Sequence, residues 1–335
     1  MRSFACEHCD HLVFFENSVC LHCGTQLGFA PERLTLVALE GENADLHRCA
    51  NDTLAGCNWI VDEAGMLCRS CELTRTRPDD SDAQALRGFR RVEAAKRRVI
   101  FQLLELDLPG VDREELCFDL LSSTAQPVTT GHADGVITID LAESDDARRE
   151  QRRQQLAEPY RTVLGHLRHE LGHYFQPRLV DDEPDWDRCR ALFGDERQDY
   201  QQALERHYEH GAPTGWEQRY VSAYATMHPW EDWAETFAHY LHIRDTLQTA
   251  AEYGVTVRGP RAVTQDRSLM ATPQPGAGER SFGEMLDNWL PLTYALNAVN
   301  RSMGRDDLYP FTLAPQVIAK LTFVHERVLA ASRRS

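Results

Sequence analysis

Five consecutive residues, His169-Glu170-Leu171-Gly172-His173, can do chemistry that no other stretch of this chain can. On a helix their spacing places both imidazoles on one side, a single turn apart, where they can share one metal ion. The glutamate between them can then serve as a base toward water that the metal acidifies. A run from Glu158-Pro159-Tyr160 to about Phe175, stopped by Pro177, predicts that helix. Along it His166, His169, Glu170 and His173 fall within an arc of about 100°. Leu164, Leu167, Leu171, Tyr174 and Phe175 fall on the opposite arc, so one side can pack on a core while the other faces a cleft. Gly165 and Gly172 are poor helix formers and imply close approach of another backbone. His166 has no partner at ligand spacing and reads as a cleft-wall residue supporting a ligand.

A catalytic zinc takes three protein ligands and leaves a fourth position open. An extended form of the motif would need Gly at 176 and His at 179, and those positions are Gln176 and Leu179. The run from Pro229 to Leu241 supplies another solution. Pro229 suits a first helical position, Glu231 and Glu235 lie one turn apart, and Trp233, Phe237 and Tyr240 occupy another face. Ala234 and Ala238 make a small-residue flank where a neighbouring helix can come close. The natural division of labour puts Glu231 on the metal and Glu235 on the far nitrogen of a ligand histidine, fixing its tautomer. The exchange of those two roles stays open.

Eight of the ten cysteines lie in residues 1–71. Cys6, Cys9, Cys20 and Cys23 form two Cys-x₂-Cys knuckles, each a tight turn that aims two thiolates at one tetrahedral metal. Cys49, Cys57, Cys68 and Cys71 form a second set with wider spacing, for which His47 is a substitute ligand. The spacing leaves the pairing of the knuckles in space open. A closed four-cysteine site has no open position, so its role is structural. Cys117 and Cys189 are isolated and read as buried free thiols.

Taken together, two cysteine-rich ribbons followed by HELGH and then EDWAE resemble a family of bacterial zinc-ribbon-containing, zinc-binding metallopeptidases. The likeness runs from Cys6 to the Tyr309-Pro310-Phe311 region, and HELGH and EDWAE are its specific part. The active-site portion is similar to the gluzincin group of zincins, in which a Glu-x-x-x-Asp/Glu helix supplies the third ligand and a supporting acid. The resemblance implies an α+β, helix-rich fold: tandem Cys₄ ribbons over 1–76, a linker over 77–82 and a zincin-like domain over 83–332. It implies one catalytic zinc held by His169, His173 and Glu231, two structural zincs, and Glu170 as general base in hydrolysis of a peptide or protein substrate. Some gluzincins carry an oxyanion-donating Tyr seven residues before the ligand Glu; Tyr224 stands there, and His228 is a rival for the role. Zincins also bind substrate along a sheet edge, for which Val136–Leu141 is the candidate. The alternative is a scaffold whose ribbons recruit a protein partner through a non-catalytic zincin-like domain.

Composition sets the bounds. The chain has 335 residues, is 42% hydrophobic and 26% charged, and can form a large domain with a small appendage. Its 36 basic and 52 acidic residues leave a net charge of −16, which argues against nucleic acid as a partner. The basic cluster Arg87, Arg90, Arg91, Lys96, Arg97 and Arg98 reads as a solvated helix face. No apolar run has the length of a membrane span or a signal peptide, so a cytoplasmic protein with reduced thiols is expected.

The remaining elements follow from pattern. Asp82 caps a helix from about Ala83 to Leu106 with a stripe of Leu86, Phe89, Val92, Val99, Ile100 and Leu103. Leu116–Leu121 and Val136–Leu141 read as strands, with turn chemistry at Gly131-His-Ala-Asp-Gly135. Several helices are expected over 185–250, a long loop over 254–280 and further helix over 281–330.

Overall fold

The computed structural model describes residues 2–123, 127–145, 162–260, 269–275 and 281–334. Its architecture is α+β and helix-rich, with a zinc-ribbon region at the N-terminus. Two compact units form. The first takes the described residues up to 145 together with Thr162–Leu167, and the second takes Arg168–Arg334.

In the first unit each cysteine set gathers by itself, Cys6, Cys9, Cys20 and Cys23 in one cluster and Cys49, Cys57, Cys68 and Cys71 in the other. The two sets do not mix, and His47 is exposed on the short strand His47–Arg48. The first knuckle closes through Cys9 N to Cys6 O (3.2 Å) and Asp10 N to Cys6 O (2.8 Å). In the second cluster Cys68 N donates to Cys49 Sγ at 3.2 Å. Sulfur separations of 3.7, 3.7 and 3.6 Å for Cys6–Cys23, Cys9–Cys20 and Cys57–Cys68 match the edge of about 3.8 Å of a tetrahedron with zinc–sulfur bonds near 2.3 Å.

The ribbons do not rest on metal geometry alone. Phe15, Phe29 and Trp59 pack edge-on and tilted with centroid distances of 4.9 Å for Phe15–Phe29 and 4.9 Å for Phe29–Trp59, and Phe101 joins them 5.1 Å from Phe15. Phe101 comes from the helix Ala83–Glu105, whose first turn is capped by the Asp82 carboxylate accepting from Gln84 N and Ala85 N. On this helix the basic cluster departs from expectation. Lys96 and Arg97 are buried, not solvated. Arg90 donates to Leu54 O and Thr53 O, and Arg97 to Ala55 O and Gly56 O, so both satisfy carbonyls at the end of the short helix Asp52–Ala55. Arg91 donates to Ser144 O. Lys96 Nζ lies 2.7 Å from Glu93 Oε1 and also donates to Thr74 Oγ1. An acidic ribbon region finds its cations on the helix that follows it in sequence.

A four-stranded sheet completes this unit, in the order Thr74–Thr76, Cys117–Leu121, Val136–Asp140, Gly131–Ala133. The middle pair is parallel and the last pair antiparallel. The hairpin turns at Asp134 and Gly135, both with positive φ (49° and 79°), as a two-residue turn matched to strand twist requires. A Cβ at Gly135 would also lie 2.3 Å from Glu115 O. Gly131–Ala133 is therefore strand and not turn. Val136–Asp140 is covered on both sides, so the expected substrate-binding edge is an internal strand. His166 lies in this unit, its Nδ1 2.6 Å from Glu143 Oε2. Cys117 is half-buried rather than buried.

The second unit is built around the helix Pro229–Glu252, with Trp233, Phe237 and Tyr240 wholly buried along one side. Phe175 from the helix Val163–Leu179 stacks on Phe237 at 5.7 Å. Phe193 from Glu183–Phe193 meets Trp233 at 5.6 Å, and Phe323 from Pro315–Ser332 meets it at 6.2 Å. The helices Tyr200–His210 and Phe282–Ser302 complete the set. Cys189 is buried, and burial pushes its thiol up to about 12. The expected start of the HELGH helix at Glu158 lies outside the described residues. Its expected end does not hold, because the helix runs through Pro177 to Leu179. Proline forfeits one hydrogen bond, and the ladder resumes with Val180 N to Gln176 O at 2.9 Å. Of the expected 254–280 loop, Val257–Arg258 and Met270–Ala271 pair as antiparallel strands, while 261–268 and 276–280 lie outside the described residues. No helix among the described residues is long and apolar enough to cross a membrane.

The buried Glu93–Lys96 pair gives a test of the first unit. Lys96→Ala strands a carboxylate in the interior and should lower stability by about 3–5 kcal/mol in urea unfolding, whereas Glu93→Leu with Lys96→Met should lose less. Equal losses in the two variants would contradict the assignment.

Candidate metal centre

The site lies where the HELGH helix passes the EDWAE helix. The two backbones are so close that a Cβ on Gly172 would lie 2.7 Å from Ala234 Cα and 3.0 Å from Ala234 O. The indole of Trp233 locks the crossing by donating from Nε1 to Gly172 O at 2.9 Å. Each helix then contributes its polar side to one small volume. His169, His173 and Glu231 offer donor atoms within 4.8 Å of one another, and all three residues are buried.

The detail of that volume asks for a cation. His169 Nε2 and His173 Nε2 are 3.2 Å apart, with Glu231 Oε2 at 3.0 Å from the first and 3.4 Å from the second. Yet Glu231 Oε2 has no aligned hydrogen-bond donor among the described residues. Two imidazole nitrogens and a carboxylate oxygen that converge in this way are donors that could hold a three-ligand zinc. Glu170, buried beside them, adds a further carboxylate.

Surrounding groups fix the donors. Glu235 Oε1 lies 2.7 Å from His169 Nδ1, the nitrogen facing away from the cluster. Burial, the largest single influence, pushes the Glu235 carboxyl up, but the hydrogen bond and charge of His169, with His239 and Ser222, together outweigh it and hold the group at about 2. Burial likewise opposes ionisation of Glu231, and the two histidines override it and hold the acid well below its ordinary range. His169 goes the other way: burial favours neutral imidazole, yet Glu231 and Glu235 raise it well above the usual value. The ring of His173 packs 4.1 Å from that of Trp230.

Tyr200, which sequence reasoning missed, donates from Oη to Glu231 Oε1 at 2.9 Å and so holds the oxygen not aimed at the cluster. It stands 31 positions before Glu231 at the start of another helix, and no spacing rule connects the two. Tyr224, on a short 3₁₀ turn, has its ring 5.9 Å from that of His169. Burial and the Glu231 charge push its phenol far up, which keeps the hydroxyl protonated. His228 caps the EDWAE helix. Its Nδ1 accepts from Trp230 N at 3.1 Å, which leaves Nε2 to donate to Gln198 O at 3.1 Å.

Comparison with known proteins agrees with this chemistry. The profile of the family described as "putative zinc-binding metallo-peptidase" matches residues 85–327, and a zinc-ribbon profile matches residues 3–82. Uncharacterized proteins of Mycobacterium tuberculosis strains H37Rv and CDC 1551 and of Mycobacterium bovis are each 52% identical over 333 residues, covering 97% of this chain and 94% of theirs. No solved structure matches. The chain belongs to this zinc-binding metallopeptidase family and carries two Cys₄ sites in its ribbon region.

The close crossing is testable. Gly172→Ala gains up to about 1 kcal/mol of helix propensity but forces the backbones apart, at a cost of roughly 1–3 kcal/mol. The variant should be less stable in urea and should give up zinc more readily to a competing chelator. Unchanged stability and zinc affinity would mean that the crossing does not set the site.

Proposed function

We propose that this member of the metallopeptidase family is a zinc-dependent peptidase or amidase, with His169, His173 and Glu231 holding the catalytic metal. The observation that carries the proposal is the buried convergence of these three donors around Glu231 Oε2, which lacks an aligned hydrogen bond. When bound, zinc supplies Lewis acidity, lowering the pKa of water toward about 7 and polarising a carbonyl.

The protein supplies the rest. Glu235 accepts a hydrogen bond from His169 Nδ1–H and so leaves the Nε2 lone pair turned into the cluster. Tyr200 occupies the outer oxygen of Glu231 and leaves Oε2 for the metal. Glu170 takes the proton of the attacking water on a carboxylate oxygen and returns it to the leaving nitrogen. The Tyr224 hydroxyl donates to the oxyanion as it forms. It is preferred over His228, whose ring nitrogens are both engaged, Nδ1 in capping the helix and Nε2 with Gln198 O. The ribbon sites remain structural, and their eight thiols suit a reducing, cytoplasmic setting.

Cleavage profiling of a proteome-derived peptide library tests this directly. Glu170→Gln should retain its full zinc content and lose at least about a hundredfold of the cleavage rate. An undiminished rate would overturn the mechanism, and absence of cleavage by the wild-type protein would favour the scaffold.

A further inference from the structure

A cavity of about 760 Å³ lies in the second unit, walled by residues 190–229 and the helix Pro315–Ser332. That volume suits a ligand of several residues or a drug-sized molecule. The lining contains Arg190, Arg206, Arg219 and Lys320 together with three histidines, and not one Asp or Glu. In a chain of net charge −16, such a surface is an exception to the surrounding field.

Two of the four cations are matched from behind. Arg190 Nη2 lies 2.7 Å from Glu196 Oε1, and Lys320 Nζ lies 2.5 Å from the buried Asp232. The other two are not. Arg219 donates from Nε to the neutral Gln316 at 3.2 Å and feels the buried Asp232 only at longer range, and neither it nor Arg206 forms an ion pair among the described residues. Arg206 with His207 and His210 occupies the last turns of the helix Tyr200–His210, where cations offset the helix dipole. That reason does not extend to Arg219, which follows a separate 3₁₀ turn, nor to a lining with no carboxylate.

The cavity wall includes the segment between Tyr224 and the EDWAE helix. Ala225, Thr226, Met227 and His228 form part of its wall. The lining residue His207 has its ring 6.0 Å from that of Tyr224, which is in turn 5.9 Å from that of His169. Two such steps span about four residues of extended peptide at roughly 3.3 Å each.

We propose that this cavity, through Arg206 and Arg219, binds carboxylates of an acidic peptide segment within about four residues of the bond to be cleaved. The proposal rests on the peptidase reading for its biological purpose, but its test is one of binding. Zinc-loaded, full-length Glu170→Gln protein is titrated calorimetrically with a short Glu-rich peptide, with the same peptide carrying Gln for Glu, and with inorganic phosphate. The acidic peptide should bind at least tenfold more tightly than its Gln counterpart, and Arg206→Ala with Arg219→Ala should abolish that preference. Both guanidinium groups are exposed, so the double variant should fold, which thermal unfolding checks. Equal affinities, no binding of either peptide, a preference that survives the double variant, or binding of phosphate without discrimination between the peptides would each overturn the proposal. A preference that is present and arginine-dependent, together with no hydrolysis of any peptide by the wild-type protein, would leave the pocket standing and remove the peptidase reading.

Discussion

The site depends on how closely two helices pass. At Gly172 and Ala234 there is no room for one additional carbon, and this lets side chains from both helices meet at a point. Ordinary helix packing at 8–10 Å between axes leaves long side chains interdigitated along the seam. Here the seam holds small residues and a carbonyl–indole hydrogen bond, and the donors His169, His173 and Glu231 flank it. Short, rigid geometry of this kind suits metal ligation, which tolerates small errors in distance poorly.

Around that point, charge is arranged in layers. Negative carboxylates gather in a region that excludes water, which costs free energy unless a cation joins them. Glu235 and Tyr200 each engage the side of a donor that faces away from the cluster. The first unit solves a related problem differently. Its clustered thiols and buried Glu93 are answered by Lys96 and Arg97, which reach in from a helix, and its aromatic core is completed by Phe101 from that same helix. A ribbon too small to bury a core alone thus borrows one.

Much of this was legible in the residues. The Asp82 cap, the stripe of the Ala83–Glu105 helix, the strands near 117–121 and 136–140 and the aromatic face of the EDWAE helix follow from local pattern, because burial imposes periodicity. The two cysteine clusters follow from spacing, although their separation in space needed the fold. What escaped were long-range partners. Tyr200 reaches Glu231 from another helix, the arginines of the basic cluster find carbonyls some 36–53 positions away, and Val136–Asp140 gains a neighbour from a strand that reads as a turn. Pro177 misled for a different reason: one lost hydrogen bond near a helix end is a small penalty beside the burial of Phe175 and Leu179.

The central claim is that this chain holds a third zinc, apart from its ribbons, at the crossing of the two helices. Elemental analysis of zinc per chain, on protein purified without added metal and dialysed, measures it most directly. The account predicts three zincs in the wild-type protein and two in Glu231→Ala, with the ribbon sites intact in both. Two zincs in each protein would contradict it.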